Sequence, residues 1–314
     1  MKIKTFDVPI LLIIFRRKDT ASQVIDAIAK VKPKVLYISQ DGPRNKVEKK
    51  EVLETRQTVL SKINWNCKVK RLYRKNNLGC GKAASGAIDW FFENVKEGII
   101  LEDDCLPNLS FFVFCQKMLK KYRNNSQIMH ISGDNFLDPK NQDSDKYYLS
   151  KYTHVWGWAS WRRAWNKYDY KMLNWKKKNI YQKIKEINGN VWDKIFWTAM
   201  FDSVCNKAID TWDYQWVYTV FRNDGFSVVP GVNLISNIGF GKQSTHTSST
   251  SSPMANLNSK EISDNCDLNK INILEKADLY ESINIFKTKS VKTLISFIYF
   301  SYLIKLISNI KKYL

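Results

Sequence analysis

Gly98-Ile99-Ile100-Leu101-Glu102-Asp103-Asp104-Cys105-Leu106-Pro107-Asn108 is the stretch whose reading decides the fold. An apolar run enters three adjacent carboxylates, and a proline then turns the chain. A short β-branched run bounded by turn signals reads as a buried strand. In open α/β sheets, ligands collect at the carboxyl ends of such strands. Three acids placed there repel one another unless a cation sits among them. Hard divalent cations take oxygen ligands, with one or two protein carboxylates and the phosphates of a substrate supplying them. The triplet therefore reads as a metal–diphosphate site. The alternative is an acidic loop that follows a strand and stays solvated and idle.

Working outward on the N-terminal side, Val8 to Phe15 is nearly continuous apolar sequence, as in a central parallel strand. It is too short for a signal peptide and leads into Arg16-Arg17 rather than a small-residue cleavage site. Asp19-Thr20-Ala21-Ser22 offers a cap for a helix with Val24, Ile25, Ile28 and Val31 on one side. Val35 to Ser39 is a second strand, ending in Gln40-Asp41-Gly42-Pro43-Arg44. An acid at such a strand end can hold a nucleotide; Asp41 can equally be a turn residue beside Gly42. Lys46 to Lys62 reads as an exposed helix, and Lys68 to Tyr73 as an edge strand. The basic, glycine-containing loop from Arg74 to Lys82 precedes a helix from Ala83 to Asn94. Backbone N–H groups at a helix start favour anions, and Arg74 or Lys82 would add charge.

Beyond the triplet, the helix opened by Ser110 carries an aromatic stripe of core spacing, and Ile128 to Gly133 is another strand before Asp134-Asn135. Repeated β-α-β units with polar strand ends predict an α/β fold, a mostly parallel sheet flanked by helices. The second half is denser in tryptophan, of which the chain has 11. Aromatic rings beside polar groups suit sugar or base faces, although most tryptophans are core. In Trp156-Gly157-Trp158 the glycine implies close approach of the backbone to something. Helices are expected from Trp192 to Ile209 and toward Arg222, and a strand from Phe226 to Val229. Lys242 and His246 follow a glycine-rich turn and could close over a diphosphate. His246 reads either as a second metal or phosphate ligand or as an idle surface histidine.

The 314 residues suffice for one large α/β domain or two small ones. Their net charge of +20 implies an anionic partner: nucleic acid, phosphorylated substrate or acidic lipid. Cys67, Cys80, Cys105, Cys115, Cys205 and Cys266 form no close pairs, which argues against zinc and against a disulfide framework. A reducing cytoplasm is the simplest compartment. No stretch reaches the roughly 18–20 apolar residues of a spanning helix. Residues 248–284, rich in serine, threonine and asparagine at their start, read as a linker or loose segment. Residues 285–314 have six lysines and no acid, and read as a basic amphipathic helix lying on an anionic membrane or docked on the protein.

Asp41-Gly42-Pro43-Arg44, Asn77-Leu78-Gly79, Leu101 to Pro107 with Phe111-Phe112, and Ile131-Ser132-Gly133-Asp134-Asn135 occur in an order that resembles a nucleotide-sugar glycosyltransferase of the GT-A fold. Trp156-Gly157-Trp158 and Trp212-Asp213-Tyr214-Gln215-Trp216 bring it nearest to the N-acetylglucosaminyltransferase I branch and its bacterial relatives. The resemblance spans roughly residues 8–246. It implies a catalytic domain over 1–247, with a nucleotide-sugar half (1–135) and an acceptor half (136–247). It implies Mn²⁺ or Mg²⁺ on Asp104, with Asp103 and Glu102 supporting the donor sugar or ribose. Asp41 would hold the base, uracil for preference, and Asn135 would join the donor-binding set with Arg74, Lys82 and Lys242. Asp213 would be the general base of an inverting transfer. Asp210 is its rival, because this chain has Asp-Tyr-Gln-Trp where the family tends to pair acids directly.

The expected partners are a nucleoside diphosphate sugar and a glycan or lipid-linked glycan of envelope polysaccharide or glycolipid synthesis, with the protein peripheral at the inner face of a membrane. A sugar-nucleotide nucleotidyltransferase is the alternative enzyme, against which stands the lack of an early glycine-rich phosphate loop between Phe15 and Ala21. A basic module binding membrane or nucleic acid is the non-enzymatic alternative. Against nucleic acid, the strongest local feature is acidic.

Overall fold

Alternation along β4 (Glu97–Glu102) sends Ile99 and Leu101 to one face of a sheet and Ile100 to the other, all fully buried. In the computed structural model, which describes residues 5–175, 191–240, 254, 257–263 and 275–290, this strand lies near the middle of an eight-stranded sheet. Its companions are β1 (Ile10–Ile14), β2 (Val35–Gln40), β3 (Lys68–Tyr73), β6 (Ile128–Ser132), β7 (Tyr147–Ser150), β8 (Trp158–Trp161) and β9 (Phe226–Pro230), in the order β3-β2-β1-β4-β8-β6-β9-β7. Pairing is parallel from β3 through β2 and β1 to β4, and again between β6 and β9. β8 enters antiparallel between β4 and β6, and β7 lies antiparallel on β9. The short β5 (Cys105–Pro107), just after the acids, pairs with β10 (Ile235–Asn237) in a separate ribbon. The fold is thus α/β, with a mostly parallel sheet flanked by helices, as expected.

Helices α1 (Lys18–Ala29), α2 (Lys46–Ser61) and α4 (Leu109–Tyr122) pack on the face carrying Ile10, Leu12 and Leu101. On the other face lie α3 (Cys80–Asn94), the single turn α5 (Arg162–Trp165) and α7 (Asp213–Arg222), against Leu11, Tyr37 and Ile100. α6 (Val191–Cys205) joins α7 in a smaller aromatic core around Trp175, Trp197 and Phe201. α1 begins at Lys18, before Asp19, and Arg17 caps it without a side-chain hydrogen bond. The reason lies in the site, where the Arg17 side chain is engaged. α3 likewise begins at Cys80 rather than Ala83.

Gly157 has φ +101°, and a Cβ there would lie 2.6 Å from Ile235 Cδ1. Its carbonyl accepts from Gly133 N at 2.8 Å, so the close approach expected of it is to β10 and the end of β6. Most tryptophans are core rather than ligand platforms: Trp158, Trp161, Trp165, Trp175, Trp197 and Trp216 are buried, because the second half fills its interior with indoles.

Of the 248–284 stretch, expected to be a linker or loose segment, residues 254, 257–263 and 275–284 are described, and some of them are tied to the α/β body. Lys260 N donates to Asn233 O at 2.7 Å, Ile262 N donates to Ser110 Oγ at 3.2 Å, and α8 (Glu275–Asn284) buries Ala277, Asp278, Glu281 and Ser282. Polar composition signals a loop, but here the polar side chains find buried partners. Of the basic helix expected over 285–314, residues 285–290 form turns after α8 rather than a helix of their own; 291–314, Lys242 and His246 lie outside the described residues. Among the described residues no helix is long and apolar enough to cross a membrane.

Candidate active site

Because β1 and β4 are adjacent and parallel, the loop after β1 meets the acids after β4. Phe15 N donates to Asp103 Oδ2 at 2.8 Å, and the Arg17 guanidinium binds Asp103 Oδ1 at 2.7 Å and Asp104 Oδ2 at 2.9 Å. Repulsion within the triplet is thus relieved first by an arginine of the chain itself. Burial works against the charge of Arg17, but the two carboxylates hold it above the ordinary arginine value. Glu102 is pushed up to about 8 by burial and then by Asp104 and Asp103, with Arg17 opposing. The pleat turns Glu102 to the same face as Ile100, toward α3 and α7.

On that side two cavities adjoin. The first, about 390 Å³, is lined by Phe15, Asp41, Arg74, Asn77, Asp103 and Asp210 among others. The second, about 370 Å³, is lined by Asp104, Trp156, Thr211, Trp212, Asp213, Tyr214 and Asn237. Arg17, Cys80 and Glu102 belong to both. Burial raises the Cys80 thiol, and Glu102, Asp213, Asp210 and Asp41 add to it, so the thiol stays protonated and is no nucleophile.

Asp41 reaches the first cavity, but its oxygens are already engaged. Oδ1 accepts from Gly42 N at 2.9 Å, and Leu78 N lies 3.1 and 3.0 Å from the two oxygens. It therefore fastens the loop before α3. Burial raises its carboxyl, with those N–H groups opposing. Arg74 donates to Ser39 Oγ at 3.3 Å and lines the same cavity.

Asp213 opens α7, where a helix N-terminus favours a carboxylate. Its Oδ1 accepts from Thr211 Oγ1 and from Tyr214 N at 2.9 Å, and Oδ2 has no hydrogen bond within the described residues. Asp210 Oδ1 accepts from Gly81 N at 3.1 Å, so it clasps the start of α3. Of the two rivals, Asp213 shares a cavity with Asp104.

Two candidates stand apart. Lys82 is exposed and lines neither cavity. Asn135 is buried, its amide donating to Pro230 O at 2.7 Å and its Oδ1 accepting from Leu137 N at 2.9 Å, so it holds the β6 and β9 ends together. Residues that sequence reasoning passed over include Arg17 and Thr211. Arg17 follows the first strand, and the parallel pairing of β1 with β4 brings it to the triplet.

Over Asp104, Ile238 N donates to its carbonyl at 2.9 Å, and a Cβ on Gly239 would collide with its carboxylate, so only glycine lets this segment pass. A wider cavity, about 1090 Å³, lies at the opposite end of β1 and β4. Its arginines are occupied: Arg162 by the carbonyls of Phe92 and Val95, Arg163 by those of Tyr122 and Arg123, and Arg123 by the Glu97 carboxylate. It is far from the acids and has no role in the site.

Among the described residues no group of three His, Cys, Asp or Glu is arranged to hold a metal ion by itself. The second cavity nonetheless has Glu102, Asp104 and Asp213 in its lining, together with Arg17. Burial first, and then Asp104 and Asp103, raise the Glu102 carboxyl, an effect that a bound cation would oppose. Such a donor set fits a hard cation that takes its remaining ligands from a diphosphate.

No protein-family model matches the chain, and no curated protein matches it in sequence. Among solved structures, HddC from Yersinia pseudotuberculosis is similar at 10% identity and a TM-score of 0.32, over 55% of this chain and 84% of that one. UDP-glucose pyrophosphorylase complexed with UDP-glucose is similar at 10% identity and a TM-score of 0.26, over 42% of this chain and 64% of that one. At such values any assignment of activity comes from the site residues.

Proposed function

We propose that the chain is an inverting glycosyltransferase that moves a sugar from a nucleoside diphosphate donor to an acceptor hydroxyl. One observation carries this reading: Asp213 and Asp104 face one cavity, Arg74 and Asp41 face its neighbour, and Glu102 and Arg17 form the shared wall. A donor lying across both cavities places its nucleoside beside Arg74 and its anomeric carbon near Asp213. Asp104 and Glu102 would hold Mn²⁺ or Mg²⁺, which as a Lewis acid stabilises charge on the departing diphosphate. Arg17 and Arg74 bind anionic oxygens, and Asp213 accepts the acceptor proton through Oδ2. A positioned base of this kind contributes about 10²–10⁴-fold. The loop after β1, Arg16-Arg17-Lys18-Asp19-Thr20, has no glycine to cradle a triphosphate, which disfavours nucleotidyl transfer.

The acceptor is a glycan or lipid-linked glycan, reached by peripheral attachment to an anionic membrane; the surplus charge of +20 supports that attachment. The test is the thermal midpoint of the purified chain against a panel of nucleoside diphosphates, with Mn²⁺ and with chelator. Ligands that bind only the native state raise it. A rise for one diphosphate that chelator removes supports the reading. No rise with any nucleotide overturns it.

A further inference from the structure

α8 lies outside the strand–helix alternation of the sheet, yet its buried face is polar. Asp278 Oδ1 accepts from Ser150 Oγ at 2.6 Å and its Oδ2 from Lys151 N at 3.3 Å. Glu281, fully buried, meets His154 Nε2 at 2.7 Å, and Ser282 donates to Asp193 of α6. Just beyond α8, Phe286 stacks on the His154 ring at 6.0 Å.

From His154 two paths lead to the site. Its carbonyl lies 2.9 Å from His130 Nε2, which must therefore donate, and His130 Nδ1 accepts from Trp216 Nε1 at 3.1 Å. Trp216 stands one helical turn after Asp213. Burial pulls His130 down to about 3, which agrees with that neutral ring. Along the chain, His154 is two residues from Trp156, whose N–H donates to Asp134 Oδ2 at 3.1 Å. Trp156 and Asp213 line the same cavity.

We propose that Glu281, acting through His154, is a positioning residue for the site, and that α8 is a clasp holding the Trp156 wall and the start of α7 in register. Such a network has two arrangements only if its proton is removed or its carboxylate lost, because buried polar groups left unpaired are costly. The charged and titratable groups facing His154 are Glu281 and Asp278 of α8, Asp134 after β6 and His130 in β6; Tyr148 of β7 and Lys151 after it stand behind them, beside Asp278. Glu281 Oε1 and Asp134 Oδ1 have no partner among the described residues, so acid exceeds the one imidazole. Burial opposes the charged His154 ring, but Glu281, with Asp134 and Asp278 behind it, outweighs burial and raises it. A raised histidine holds the clasp fully below its unfolded value and releases it as pH rises through the folded one.

The test uses the full chain, with Glu281→Gln and His154→Gln, followed by amide hydrogen exchange and transfer kinetics. Exchange at 153–157 and 212–217 is expected to quicken about tenfold in either variant, while 10–14 and 35–40 stay unchanged. kcat should fall about tenfold with the donor half-saturation unmoved. In Glu281→Gln the alkaline limb of kcat should move to lower pH, since His154 has lost the carboxylate that keeps its proton. Faster exchange confined to 275–290, or a donor defect with kcat intact, overturns the proposal. Should both variants fail to fold, the unmodified chain decides. Protection at 153–157, corrected for intrinsic rates, should fall as pH rises above the ordinary histidine range; constant protection overturns the clasp. The kinetic arm rests on the glycosyl-transfer reading, whereas the exchange arm does not. A wild type without transfer therefore fails that reading and leaves the clasp to be judged by exchange.

Discussion

Arg17 is the counter-charge that the acid triplet finds within the chain, and its removal isolates two nearly buried carboxylates. Arg17→Met should therefore cost about 3–5 kcal/mol in urea unfolding, the range for orphaning one side of a buried pair. Mn²⁺ should then raise the thermal midpoint more in this variant than in wild type, because a cation can take the vacated place between Asp103 and Asp104. An equal Mn²⁺ response in both would remove the cation from this site. The neighbouring acids separate by role. Asp104→Asn should abolish metal-dependent stabilisation by donor. Asp213→Asn should keep that stabilisation and lose transfer by about 10²–10⁴-fold. Near-normal transfer by Asp213→Asn would move the base to Asp210, despite its bond to Gly81 N. The triplet itself is legible in sequence, since apolar residues running into carboxylates mark a strand end. Its partner is less so: Arg17 and Asp103 are 86 positions apart, and only the adjacency of β1 and β4 joins them.

Elements of period two or of strong apolar stripe, such as β1, β4 and α4, could be placed from sequence because a single physical signal defines each. α8 could not, because its buried face is built from Asp278, Glu281 and Ser282, whose partners lie on β7, after it and on α6. The tryptophans are mostly core, as expected, but which of them face a cavity is not legible: an indole suits a sugar face and a core equally, and only tertiary packing chooses. Buried acids around the clasp also set a pH response. Asp134 is pushed up to about 8 by burial first, with His154 opposing and Glu281 adding. Its folded form thus holds a proton that the unfolded chain has released above the ordinary aspartate range. That contribution is complete below about pH 4 and is lost as pH rises toward 8. Asp134→Asn keeps an acceptor for Trp156 N and cannot ionise. Relative to wild type, the variant should gain on the order of 1 kcal/mol or more between about pH 5 and pH 8 in urea unfolding. A gap between the two that does not change with pH would mean that Asp134 is ionised throughout.

Across the whole molecule, charge and chemistry are separated. The site gathers carboxylates at one end of the sheet, while the net +20 is carried elsewhere, on lysines such as Lys46, Lys49 and Lys50 of α2 and in the 285–314 stretch. A surplus carried mostly away from the site is what the proposed attachment to an anionic surface would use. Vesicles containing acidic phospholipid should therefore bind the full chain, and binding should weaken as salt shortens the Debye length from about 10 Å at 0.1 M to about 3 Å at 1 M. Removing residues 291–314 takes away four of the six lysines of the tail. The shortened chain should lose vesicle binding and keep its metal-dependent stabilisation by donor, because every described wall of the two cavities precedes position 241. Retained vesicle binding would transfer docking to the lysines of the α/β body. Lost donor stabilisation would instead make the tail part of the catalytic unit, joined to it through α8.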